Sequence, residues 1–262
     1  MKEGLGLSAM ASNLETQSEE KKLPYRQISW DDATVSRFWR WQSQRPNEYF
    51  TNLFGDRIAA AIAPWIRGAG DESVLDYGCG LGFFPRHLAA LGFKVWAADF
   101  SPESVEITNQ RNQGLAGFQG AALVSELSGR GLLFSHIVSI EVIEHLDESH
   151  IGPFFDTIRD LLAPGGLVVI TTPNKEDLVA AEIYCPCCDH TFHRYQHVRS
   201  FSADTLATMV SAHGLVPVRT FTTDFSKRPW WHPKQFAQNL LSLNFGWRSK
   251  RPHLVCIASK PA

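Results

Sequence analysis

The strongest constraint on this chain is a regular exchange between two hydrophobic periods. From Ser73 onward, short apolar, β-rich runs lie at Ser73–Asp76, Lys94–Ala98, His136–Ile140, Leu167–Thr171, Leu215–Thr220 and Leu254–Ser259, with a weaker edge strand near Ala121–Val124. Between them fall helical stretches at Phe84–Leu91, Pro102–Arg111, Ser149–Leu162 and Ala203–His213. Strands that alternate with helices give an α/β fold, a mostly parallel sheet covered on both faces. In such doubly wound sheets a ligand sits beyond the carboxyl ends of the strands, so the loops there are where chemistry is expected.

Around this block the chain divides further. Residues 1–24 are polar and charged and read as a disordered tail. Residues 25–70 read as a helical cap, with a helical pattern from Ala33 to Ile66 carrying Phe38, Trp39, Trp41, Tyr49 and Phe50. Residues 71–262 form the sheet domain, interrupted by insertions at 173–201 and 222–252. Ala163-Pro-Gly-Gly166 reads as a stop and turn. The net charge of −2 provides no overall basic field, which argues against a nucleic-acid partner. No window comes near the ~18 apolar residues of a membrane span. Five cysteines without framework spacing, and no secretory leader, suit a cytoplasmic protein.

The first strand runs into Asp76-Tyr-Gly78-Cys-Gly80-Leu-Gly82, and the second ends at Asp99, about twenty residues beyond Gly78. Glycines let the backbone turn tightly and a ligand approach the main chain. A carboxylate at Asp99 can accept from two ribose hydroxyls. The spacing departs from the dinucleotide fingerprint, because the third glycine arrives one residue early and Phe83 holds its place. Asp76 would repel a pyrophosphate but suits a ligand carrying a sulfonium and an ammonium group.

On these residues the chain resembles the class I S-adenosylmethionine (SAM)-dependent methyltransferases, from about Val74 to Lys260. Motif I looks like Val74–Gly82, motif IV like Phe134-Ser-His-Ile-Val138, and the turn after it like Leu162–Gly166. The resemblance implies a seven-stranded sheet with the last strand antiparallel. It implies SAM held by Asp76, Gly78, Cys79, Gly80, Asp99 and Phe100, with Glu141 at the edge of the same pocket. Ser125 and Glu126 would flank the adenine. One departure is Ser135, where the family often has an acid.

The fourth strand ends in Glu141-Val-Ile-Glu144-His145. If the chain turns helical there, the three polar side chains share one face. Two carboxylates and an imidazole suit Mg²⁺, Mn²⁺ or Zn²⁺. This segment resembles two metal-dependent groups, the ubiquinone-biosynthesis O-methyltransferases and the small-RNA 3′-end 2′-O-methyltransferases. That likeness makes His197 a further ligand. In metal-independent relatives the same Glu lines the SAM pocket and His145 faces the acceptor.

Cys185 and Cys188 with His193 and His197 also compose a short zinc-ligand set, an alternative for the same insertion. This insertion, with the Phe38-Trp39 region, is similar to methyltransferases of bacterial surface-glycan gene clusters. A late segment, Phe225–Lys234 and Gly246–Arg251, interleaves basic residues with tryptophan and suits a phosphorylated or sugar-linked acceptor.

The expected activity is methyl transfer to a small hydroxylated or sugar-type acceptor. His145, Glu141 and, in reserve, His193 are the catalytic candidates. Glu141, Glu144, His145 and His197 are the metal candidates. RNA 3′-end methylation, N-methylation and a non-catalytic SAM-binding regulator are the alternatives. Oligomeric state is not legible.

Overall fold

The computed structural model describes residues 25–66, 71–127, 129–227 and 251–261. The tail at 1–24 and most of the late aromatic and basic segment, including Trp230, Trp231 and Lys234, lie outside the described residues.

A seven-stranded sheet carries the molecule, in the order β4-β3-β2-β5-β6-β10-β9. Its members are β2 (Ser73–Tyr77), β3 (Lys94–Asp99), β4 (Phe118–Leu123), β5 (Phe134–Ile140), β6 (Leu162–Pro173), β9 (Val216–Thr223) and β10 (His253–Ser259). β4 through β6 run parallel, and β10 is antiparallel to both β6 and β9. The fold expected from sequence is therefore observed.

Neighbouring residues on each central strand feed opposite cores. Leu75, Ile137, Val168 and Ile170 pack with Phe154, Phe155 and Ile158 of α6 (Glu148–Leu161) and with Leu206 and Val210 of α7 (Ala203–Ala212). Val74, Val138, Val169 and Val255 pack with Ile58 and Ile62 of α2 (Phe50–Ile62) and Leu88 of α3 (Pro85–Ala90). Burial on both faces is why these strands read as continuous apolar runs rather than alternating ones. On the same side of the strand ends, α4 (Pro102–Asn112) begins with Ser101 as its N-cap and Pro102 in its first turn. The short α5 (Val124–Leu127) follows β4.

Three local expectations are corrected. The helical pattern from Ala33 to Ile66 is two helices, α1 (Asp32–Gln42) and α2, split by a 3₁₀ turn at Pro46–Glu48. Pro46 lacks an N–H and pushes Arg45 out of the helical region, to φ −120° and ψ 59°. Ala163–Gly166 does not stop the chain; it is a bulge inside β6, between the Phe134–Leu162 and His136–Leu167 pairs. The insertion after β6 is partly ordered as a second, three-stranded sheet. There β7 (Glu182–Cys185) and β8 (His190–His193) form a hairpin, and β1 (Arg26–Gln27) pairs with β8. Among the described residues no helix is long and apolar enough to cross a membrane.

Candidate active site

A cleft of about 1780 Å³ opens beyond the carboxyl ends of β2, β3 and β5, roofed by α1 and the start of α2. One part of its floor is main chain. Gly78 and Gly80 follow β2 with φ of +78° and +52°. A Cβ on Gly78 would meet Val142 Cγ2 at 2.5 Å, and one on Gly80 would meet Tyr49 Cε1 at 2.9 Å. Only glycine fits both the conformation and the space. The N–H groups of Gly78 and Cys79 donate to Ala98 O at 2.8 and 3.0 Å, tying the loop to the end of β3.

Asp99 closes that loop. Its carboxylate accepts from Gly80 N at 2.9 Å and Ser101 N at 3.0 Å. Burial raises its pKa to about 6, against the pull of those N–H groups. Asp76 is 2 % exposed, and its Oδ2 has no hydrogen-bond partner. Burial and the nearby Asp99 raise its pKa to about 8. Phe100 lines the cleft with its ring exposed, and Cys79 turns its thiol down towards Thr108 Oγ1 at 3.5 Å. Val124, not Ser125 or Glu126, lines the cleft at α5; Glu126 instead faces Arg130 at 3.3 Å. Of the short helix, Val124 faces the cleft and Leu127 the core.

The other part of the floor is built from side chains. Glu141 takes φ +52°, so the chain is not helical there, and the 3₁₀ turn Ile143–His145 begins after it. This corrects the shared helical face expected of Glu141, Glu144 and His145. Glu141 instead accepts from Thr171 Oγ1 at 2.7 Å, and burial raises its pKa to about 8. The structure joins Glu144 and His145 to His197, with one ligand atom from each within 4.8 Å of the others. Glu141 stands outside this group.

Glu144 is 1 % exposed, and neither of its carboxylate oxygens has a hydrogen-bond partner. Burial first, then the charge of Glu141, holds its pKa well above the usual carboxylate value, with Thr172 nearby opposing. His145 packs its ring edge-on to Trp39 at 4.9 Å and to His197 at 4.8 Å. Burial and the neighbouring imidazoles hold its pKa well below the usual histidine value. Its Nδ1 faces Gln196 O at 3.4 Å, and His197 Nδ1 faces Glu176 Oε2 at 2.5 Å. Both acceptors call for a proton on Nδ1, which leaves Nε2 of each ring as a bare lone pair. His193 lies next to this group, stacked on His197 at 4.5 Å.

The four-ligand zinc set does not assemble. Cys185 pairs with His190 at the turn end of the hairpin, whereas His193 pairs with Glu182 at the other end. Three residues along a strand separate the two by ~10 Å. Among the described residues no metal-competent group includes Cys185 or Cys188.

A methyltransferase-domain family profile matches residues 36–220 of this sequence. The chain belongs to the class I SAM-dependent methyltransferase family. A ubiquinone biosynthesis O-methyltransferase of Cereibacter sphaeroides is 27 % identical over 191 residues, 68 % of this chain and 73 % of that protein. One from Caulobacter vibrioides is 36 % identical over 123 residues, 46 % of each. The chain spans about half the length of most of the curated relatives it matches. A solved 1,6-didemethyltoxoflavin-N1-methyltransferase of Burkholderia thailandensis, with S-adenosylhomocysteine bound, shares the fold at a TM-score of 0.59. It is 19 % identical, covering 90 % of this chain and 92 % of that one.

Several residues that shape this methyltransferase's cleft carry no signal that sequence reasoning could use. Gln196 is fully buried at φ +63°, accepts from Trp39 Nε1 at 3.1 Å and donates to His145 O at 3.0 Å. It fastens the cap to the floor. Tyr49 closes over Gly80, and burial beside Asp99 pushes its phenol pKa upward. Glu176 comes from the loop after β6, and His253 from the start of β10, 3.9 Å from Glu141 Oε2. Isolated polar residues of this kind declare themselves only when the fold brings their partners to them.

Proposed function

We propose that this methyltransferase transfers a methyl group from SAM to an oxygen of a small hydroxylated acceptor, with a divalent cation held by Glu144, His145 and His197. The observation that carries this reading is Glu144. A buried carboxylate with both oxygens unmatched is costly unless a positive partner reaches it. One nitrogen each of His145 and His197 lies within 4.8 Å of a Glu144 oxygen and of the other, and an oxygen plus two nitrogens suits Zn²⁺ or Mn²⁺. When bound, such an ion lowers the pKa of a hydroxyl that ligates it, and SAM supplies an electrophilic methyl on its sulfonium.

The chain's own residues do the rest. Asp99 has oxygen lone pairs left for ribose hydroxyls, and Gly78 and Gly80 let the ligand lie against the main chain. Asp76, unmatched at Oδ2, favours a cationic ligand beside the loop. Phe100 offers an exposed ring as an adenine platform. Trp39, Tyr49 and Phe50 roof the cleft and exclude water from the acceptor. Holding the two reactants in line supplies much of the rate. At the cleft rim, Arg40 is paired with Glu103 at 3.8 Å and Arg45 with Glu48 at 3.2 Å. That mixed rim supports a small molecule over a nucleic acid as acceptor.

The test is metal content and SAM affinity of the wild type and Glu144→Ala, each before and after dialysis against EDTA. We expect about one divalent ion per chain, lost in Glu144→Ala while SAM still binds. Catechols and vicinal diols are then the acceptors to screen. A wild type that takes up no divalent ion at all would sink the metal-assisted mechanism and leave His145 as the base on a single hydroxyl or an amine.

A further inference from the structure

Glu176, His193 and His197 form a second group whose ligand atoms lie within 4.8 Å of one another. It shares His197 with the first group, so at a glance the two look like rival metal sites. The hydrogen bonds separate them.

The rings of His193 and His197 stack at 4.5 Å and 19°. The Glu176 carboxylate spans both: Oε2 lies 2.5 Å from His197 Nδ1 and Oε1 lies 3.5 Å from His193 Nε2. What decides their roles is the far nitrogen of His193. Its Nδ1 faces two main-chain N–H groups, those of Tyr195 at 3.3 Å and His197 at 3.1 Å. A main-chain N–H can only donate, so His193 Nδ1 must be the bare nitrogen. The ring proton then sits on Nε2, which faces Glu176. A nitrogen that carries a proton cannot ligate a metal or act as a base, and the other lone pair is already in use.

The backbone explains why the arrangement is fixed. β8 ends at His193, and Gln196 at φ +63° folds the chain back so that its own N–H reaches His193 O at 2.9 Å. That turn brings the N–H of His197 over the ring of His193. On the opposite side, Lys175 N donates to Phe201 O at 2.7 Å, anchoring the loop that presents Glu176.

We infer that Glu176 is a positioning residue for His197, with His193 packed beside it, and that neither Glu176 nor His193 is a metal ligand or a base. Glu176 accepts the Nδ1 proton of His197 and so turns the His197 Nε2 lone pair towards Glu144 and His145. His193 places its Nε2 3.5 Å from the other carboxylate oxygen, a close contact without a hydrogen bond. A carboxylate behind a ligating histidine fixes its tautomer and raises its basicity. The assignment rests on the reading that Glu144, His145 and His197 face the reaction.

Long-range proton–nitrogen NMR correlations of the histidine rings in the full chain test the assignment directly. We expect the His197 proton on Nδ1 and the His193 proton on Nε2. A bare Nε2 on His193 would overturn the inference. Mn²⁺ titration of Glu176→Gln and His193→Gln supplies the second measurement. The expected loss of ion affinity in Glu176→Gln is about 10–100-fold at unchanged stoichiometry and SAM affinity. His193→Gln, which keeps an N–H donor, should lose less. Unchanged Mn²⁺ affinity in Glu176→Gln, or complete loss of the ion in His193→Gln, would contradict the positioning role. If the wild type binds no ion, the metal reading fails by itself. The wild-type tautomers, and the loss of the His197 Nδ1 proton in Glu176→Ala, still decide the role of Glu176.

Discussion

The two halves of the cleft floor are built on different principles. The loop after β2 is answered by main chain: Asp99 takes N–H groups from Gly80 and Ser101, and the loop's own N–H groups go to Ala98 O. The other half is answered by side chains from distant segments: Glu144 and His145 after β5, Glu176 after β6, and His193 and His197 after the β7–β8 hairpin. It also leaves Glu144 with two buried, unmatched oxygens. A site built from main chain is fixed once the sheet forms. A site with unmatched buried carboxyl oxygens is completed by a cationic ligand that answers them, two oxygens at Glu144 against the one at Asp76 beside the loop.

If the halves are separate, damage to one should spare the other. The largest effect is expected from Asp99→Ala. Two charge-assisted hydrogen bonds to ribose hydroxyls would be lost, at about 1.5–3 kcal/mol each. SAM affinity should fall by at least about 100-fold, read by calorimetric titration, while Mn²⁺ affinity stays unchanged. A comparable drop in Mn²⁺ affinity would show that the halves are coupled. A smaller effect is expected from Gln196→Ala, which breaks the link between the cap and the floor. The Trp39 indole N–H loses its acceptor and His145 O its donor. The cost should be about 1–3 kcal/mol of stability, at roughly 2–4 °C of Tm per kcal/mol, with SAM affinity of the folded protein preserved. A melting temperature equal to wild type would show that the cap is held by other contacts.

The same contrast explains what could be read from the sequence. Asp76, Gly78, Gly80 and Asp99 were legible because backbone turns demand particular residues at short, fixed spacing. The sheet was legible because strands buried on both faces, such as Val168 and Val169, have no polar side. Glu144, His145 and His197 could be nominated as chemically apt residues, but their geometry could not. The helix expected through Glu141 fails on a left-handed residue that no periodicity reveals. Gln196 and Trp39 meet across 157 positions, and Glu176 and His197 across 21. The four-residue strands of the hairpin, His190–His193 among them, are too short and too polar to show an alternating pattern.

The smallest expected effect tests the loop alone, through Asp76. With its pKa raised from 3.8 to about 8, this carboxyl holds a proton in the folded, ligand-free protein that the unfolded chain has already released. Its contribution to stability is complete below pH 3.8 and is lost as pH rises through about 8. Asp99 acts in the same direction, up to about 6. Asp76→Asn removes the larger of the two dependences. The variant's Tm should therefore rise relative to wild type as pH goes from about 4 to about 8, and the gap should level off above that. A cationic ligand reverses the preference, because it favours the ionised carboxylate. Saturating SAM should stabilise the wild type more than Asp76→Asn. Parallel pH curves for the two proteins would mean that Asp76 is ionised in the ligand-free fold. Equal stabilisation by SAM would mean that it only shapes the loop and does not sense the cofactor's charge.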